Sequence, residues 1–169
     1  MDNELSPQQR AKRPHTALAG PYGHPFHPVL VTIPIGAWTA SIIFDVVALF
    51  ADDKEAFVRG SLWLVGIGVL GALMAAVFGF MDFLTLTSGT KARRTAIVHM
   101  TLNLTVIALF IVSFIIRANS GYDALSIPAF VVSLIAYALV SVSGYIGGIL
   151  AYHYGVRVAD EATQAEGFR

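Results

Sequence analysis

Four apolar runs constrain this chain more than any other feature: about residues 29–51, 62–86, 96–116 and 127–152. A helix needs about 20 apolar residues to cross a hydrocarbon core. Each run meets that length with at most one or two ionisable groups inside it. The chain is 56% hydrophobic and 13% charged, with a mean hydropathy of +0.67. Soluble domains carry about 25% charged residues, so too little polar surface exists here for a water-soluble fold. The expected class is all-α, an integral membrane protein.

Loops between the runs are short and hold Asp, Gly, Ser, Asn and Lys. Short connections join antiparallel neighbours, so the simplest arrangement is an up-down-up-down four-helix bundle in one domain, residues 23–158. Residues 1–22 and 159–169 read as polar, loosely ordered tails. No internal repeat is evident. A cleavable signal would need an apolar segment nearer the start and a small-residue cleavage site, so the first span is expected to persist in the mature protein.

Of the 11 Lys and Arg residues, Arg10, Lys12, Arg13, Lys91, Arg93, Arg94, Arg157 and Arg169 fall on one side of the expected bundle. Only Lys54, Arg59 and Arg117 fall on the other. The positive-inside rule then predicts an inner-membrane protein with both termini cytoplasmic. A zero formal net charge gives no support to a nucleic-acid partner. The absence of cysteine excludes disulfides, iron–sulfur clusters and covalent c-type haem.

Small residues mark expected helix contacts, because close backbone approach drives helix pairing in lipid. Span two shows Gly68, Ala72 and Ala76, and also Gly71, Ala75 and Gly79; span four shows Ala136, Val140, Gly144 and Gly148. Pro34 should leave the carbonyl of Leu30 unbonded and bend span one. Pro34, Trp38, Ser41 and Asp45 form one stripe at helical spacing, facing the bundle interior because ionisable groups avoid lipid. Asp45 lies too far from the histidines to join them, and Arg59 or Arg117 is its expected partner.

Depth brings the histidines together. His24 and His27 precede span one, His99 opens span three, His153 closes span four, and Asp82 arrives at the same face from span two. His99 and Asn103 share a helical face. Neutral imidazole is the commonest protein ligand for metals, and such a layer suits Zn, Fe, Ni or Cu. The metal-ligand candidates are His24, His27, His99, His153 and Asp82. Two imidazoles from different helices could instead clamp a b-type haem, with Asn103 beside them. The alternative is a non-catalytic scaffold or accessory subunit whose polar layer only closes the bundle. An ion carrier ranks last, because the spans between Asp45 and the histidines offer hydroxyls but no ionisable relay. No G-x-S-x-G elbow supports a hydrolase. The expected partners are the lipid bilayer, a redox partner or another membrane subunit, and a second copy of the chain.

Four segments carry a family likeness: "HPFHPVLVTIPIG" with Asp45 beyond it, "GFMD" ending at Asp82, "HMTLN" from His99 to Asn103, and "GYIGGILAYHYGV" from Gly144 to Val156. With these the chain resembles the domain of unknown function 2231 family of bacterial four-helix membrane proteins, over residues 23–158. The resemblance implies a four-helix membrane domain without a settled activity. Some relatives carry Rieske-type domains on the same chain, which implies redox chemistry. Ile149 stands where the family's closing motif tends to have a polar residue.

Overall fold

The computed structural model describes residues 5–20 and 24–168. Gly23 and Arg169, named above, lie outside them, as do the first four residues and residues 21–22 of the N-terminal tail. The described residues are helical: α1 (Pro7–Lys12), a 3-10 turn (Ala17–Ala19), four long helices and a last short helix. The long helices are α2 (Phe26–Ala48), α3 (Lys54–Leu84), α4 (Lys91–Ala118) and α5 (Ile127–His153), each long and apolar enough to span a membrane. Helix α6 covers Glu161–Glu166. Both chain ends hold short capped helices where composition alone suggested loose tails. Ser6 and Gln9 form a reciprocal capping box on α1.

Local chemistry sets the helix ends. The Asp53 side chain accepts from the Ala56 N–H, so α3 starts eight residues before its apolar run. Thr90 likewise caps α4 at the Arg93 N–H. Periodicity of apolar residues alone misses both polar first turns. Helix α2 is interrupted at Val31, next to the Leu30 carbonyl, which proline at position 34 cannot bond. The final turn of α5, Ile149–His153, is a π-helix, with the Tyr154 N–H reaching the Ile149 carbonyl at 3.0 Å.

Helices pack most closely as two hairpins, α2 with α3 and α4 with α5. Small residues explain the first. A side chain at Gly68 would strike the Trp38 indole, one at Gly71 would meet Ile33, and one at Gly60 would press on the Phe44 ring. Gly144, by contrast, faces open space, so the small stripe of α5 is not used along its whole length. The core holds Trp38, Val65, Val106, Ile107, Phe110 and Ala136. Trp38 stacks on Phe110 at 3.9 Å and 9°, and its indole N–H donates to the Val65 carbonyl at 3.3 Å.

Residues that meet between α2 and α4 keep one sequence offset, as two parallel helices at a common depth do. Asp45 and Arg117, an ion pair, are 72 residues apart. The same offset relates Trp38 to Phe110, which stack, and His27 to His99, whose rings touch edge to face. It also relates Ser41 to Ser113 and Ser61 to Ser133. Within each hairpin the serines, 20 residues apart, are bonded: Ser61 donates to the Ser41 carbonyl at 3.1 Å, and the Ser113 and Ser133 hydroxyls share a bond of 2.8 Å. Residues of α2 and α4 at equal depth thus meet across the bundle centre.

At one end of the bundle Arg117 is fully engaged. Nη1 and Nη2 donate to Asp45 Oδ1 and Oδ2 at 2.7 and 2.6 Å, in a fork geometry. The remaining donors reach Ser113, Ser61 and Ser133 at 3.1–3.2 Å. All four spans contribute, and both charged side chains are at most 1% exposed. Arg59, the other candidate partner, pairs with Glu55 on its own helix. The opposite bundle end gathers the start of α2, the end of α3, the start of α4 and the end of α5, consistent with an up-down-up-down bundle.

Removing one partner of a buried ion pair costs about 3–5 kcal/mol. Asp45→Asn and Arg117→Met should therefore each destabilise the bundle by that order. Because the two positions face each other at one depth, with serines around both, the exchange Asp45→Arg with Arg117→Asp should recover most of the loss. Denaturation of the detergent-solubilised variants measures both.

Candidate functional site

The five expected ligands divide into three groups. His27 and His99 come together, with ring centroids 6.3 Å apart and planes at 86°. Asp82 pairs with Arg157 instead, Nε to Oδ1 at 2.8 Å, although its carboxylate also lies within electrostatic range of His27. His24 and His153 are exposed. The His153 ring packs against Tyr154 at 5.0 Å. Among the described residues, no group of three or more His, Cys, Asp or Glu side chains is placed to hold a metal ion.

The two central imidazoles are seated by the same device. His27 Nδ1 lies 2.8 Å from the Ala75 carbonyl oxygen, and His99 Nδ1 lies 2.9 Å from that of Ser143. A carbonyl only accepts, so each Nδ1 carries the proton and donates. One helical turn after each acceptor stands a glycine. A Cβ on Gly79 would lie 2.9 Å from the His27 ring, and one on Gly147 would lie 3.1 Å from the His99 ring. Each ring fills the notch its glycine leaves, which lets it reach the main chain of the neighbouring helix.

The seats differ in depth. His27 bonds a residue 48 positions on, His99 one only 44 positions on. The acceptor of His99 is therefore one helical turn further into the bundle than the offset of His27 would put it. There the ring meets more polar neighbours. Asn103 Nδ2 lies 3.1 Å from His99 Nε2, 2.9 Å from the His99 carbonyl and 2.8 Å from Ser143 Oγ. With Nδ1 protonated, Nε2 is the acceptor and the amide N–H the donor.

Sequence reasoning placed Asn103 beside His99 by helical spacing, but it did not find Ala75, Ser143, Gly79 or Gly147 as the seats. Arg157 was read only as a basic tail residue. Yet it is buried, and it adopts a left-handed backbone at φ 60°. Nothing in the bare sequence marks a lone arginine after a span as an interior group. The glycine pair was legible only as helix packing.

The seats make a definite expectation. Asn103→Ala should leave Nε2 of a half-buried ring without its donor, at a cost of about 1–3 kcal/mol. Nitrogen NMR of the wild-type protein should report His99 as the Nδ1-protonated tautomer, and the Nε2 resonance should shift in the variant.

Neither a curated protein nor a solved structure matches the chain. One family does, described as "Predicted membrane protein (DUF2231)", over residues 23–160. That stretch takes in all four spans, both seated histidines and the buried ion pairs, and the chain belongs to the DUF2231 family of membrane proteins.

Proposed function

We propose that His27 and His99 are the ligands of a metal centre in a small redox-linked membrane protein, either a b-type haem iron or a single transition-metal ion. The observation that carries this reading is the paired seating: each Nδ1 is tied to a main-chain carbonyl, which leaves Nε2 as the metal-binding nitrogen of both rings. Ligating histidines characteristically donate their other ring nitrogen in this way, which fixes the tautomer and raises ligand basicity. The two rings are near neighbours, with centroids 6.3 Å apart.

When bound, the metal supplies one-electron chemistry. The chain's own residues orient the rings, hold the protons on Nδ1 and surround the pair with apolar helices. Electron passage, not substrate turnover, fits a site with so few other reactive groups. The reading puts this end of the bundle at the cytoplasmic face of the inner membrane, because the basic residues outside the spans cluster at the same end.

A second reading rests on one observation. Asn103 already donates toward His99 Nε2, so this nitrogen must exchange that bond for a metal. If it does not, the polar layer is a closure of the bundle and the protein is a scaffold or accessory subunit.

Optical spectra and metal analysis of the detergent-purified protein separate the two. The metal-centre reading predicts a haem absorption band or a stoichiometric metal. The bound species is lost in His27→Ala and His99→Ala, and kept in His24→Ala and His153→Ala. The scaffold reading predicts no bound species in any of them and lower stability in the first two.

A further inference from the structure

The two chain ends are tied to one another across the histidine end of the bundle, and one residue makes most of the ties. The Arg157 N–H donates to the Ala11 carbonyl at 3.0 Å. Its Nη2 donates to the Ala19 carbonyl at 3.3 Å, and its Nε pairs with Asp82 at 2.8 Å. Lys12 Nζ adds a bond to the Ala159 carbonyl at 3.2 Å.

The N-terminal segment lies flat against the helix ends. Ala11 packs with Leu86 and Ala96, against Leu150 and Val156, so it touches the ends of α3, α4 and α5. Ala19 is 1% exposed. Gly20 is wedged so tightly between the His24 carbonyl and the Arg157 guanidinium that a Cβ would collide with both. The segment therefore lies over the ends of α3, α4 and α5, next to the Asp82–Arg157 pair.

We propose that residues 5–20 form a cover over the ends of α3, α4 and α5, latched by Arg157 to Asp82, and that releasing the latch opens the cover to the aqueous side. Three features suit a latch better than a permanent weld. Arg157 holds a left-handed conformation that a non-glycine residue keeps only while its surroundings enforce it. Its Nη1 is buried without a hydrogen-bond partner. The cover is joined to the bundle by few bonds and by one small apolar cluster, the pattern of segments that open locally before the whole fold does. The proposal stands on the chain ends alone and holds whether or not the imidazoles carry a metal.

The 169-residue sequence has no cysteine, so single reporters test this directly. Ala19→Cys sits under the latch and Ala136→Cys in the bundle core, each labelled with a membrane-impermeant maleimide on protein in lipid nanodiscs. With Arg157 and Asp82 intact, both thiols should label slowly. Arg157→Ala and Asp82→Asn should each speed labelling at position 19 by roughly tenfold or more, while position 136 stays protected. Gly20→Ala, which keeps both charges, should open the cover by collision alone and give the same pattern. Arg157→Lys keeps the charge but cannot reach Asp82 and the Ala19 carbonyl with separate nitrogens, and should fall between. Equal rates at position 19 in every background would overturn the proposal. So would exposure of position 136 in step with position 19, because the arginine would then hold the bundle and not a cover.

Discussion

The guanidinium of Arg117 sits where no water can reach it, and the rest of the bundle is arranged to make that tolerable. A buried charge is stable only when it is paired and its remaining donors are satisfied. Asp45 takes two donors, and serines from α3, α4 and α5 take the others. Five side chains from four helices must therefore hold a common depth and a common rotation. Greasy helices slide and turn easily against each other in lipid, where apolar contact alone favours no register. This pair fixes the register, and the stack of Trp38 on Phe110 carries it along the axis toward the histidines.

That transmission matters for the site, whose precision comes from the main chain. The ring of His27 reaches Ala75, and that of His99 reaches Ser143, through notches one residue wide. A rotation of α3 by one position in either direction would replace Gly79 with a phenylalanine and push the His27 imidazole out. The polar pair at one end and the glycine notches at the other are thus two ends of one constraint. The N-terminal cover and Arg157 lie outside the two hairpins and add what the hairpins lack, a lid on one side only.

Depth was legible in the sequence, and rotation was not. Counting residues along spans put His24, His27, His99, His153 and Asp82 at one end, and they are there. The count cannot say which way a ring points. His24 and His153 are exposed, the latter at the end of a π-helical turn that alters the phase of the helix end. The stripe from Pro34 to Asp45 was readable because a carboxylate in an apolar span has only one acceptable direction, and all four of its residues are buried. Its partner was narrowed to two arginines, and packing chose between them. The alignment of α2 with α4 was not legible because the facing positions differ in chemistry: tryptophan meets phenylalanine, aspartate meets arginine. Only His27 with His99, and the serines, stay identical along that core line.

The pairing of aspartate with arginine carries its own consequence. A hairpin that paired with a copy of itself would bring two Asp45 carboxylates, or two Arg117 guanidinia, to the same buried point. Like charges there would be uncompensated, and each would bear the full cost of desolvation. The unlike pairing gives every donor an acceptor. Discrimination between partners rests on such penalties against the wrong pairing as much as on gains from the right one. The two halves of this chain share a core, and each must find the other. The site between them then receives one imidazole from each half, at unequal depths, with Asn103 beside only one of the two.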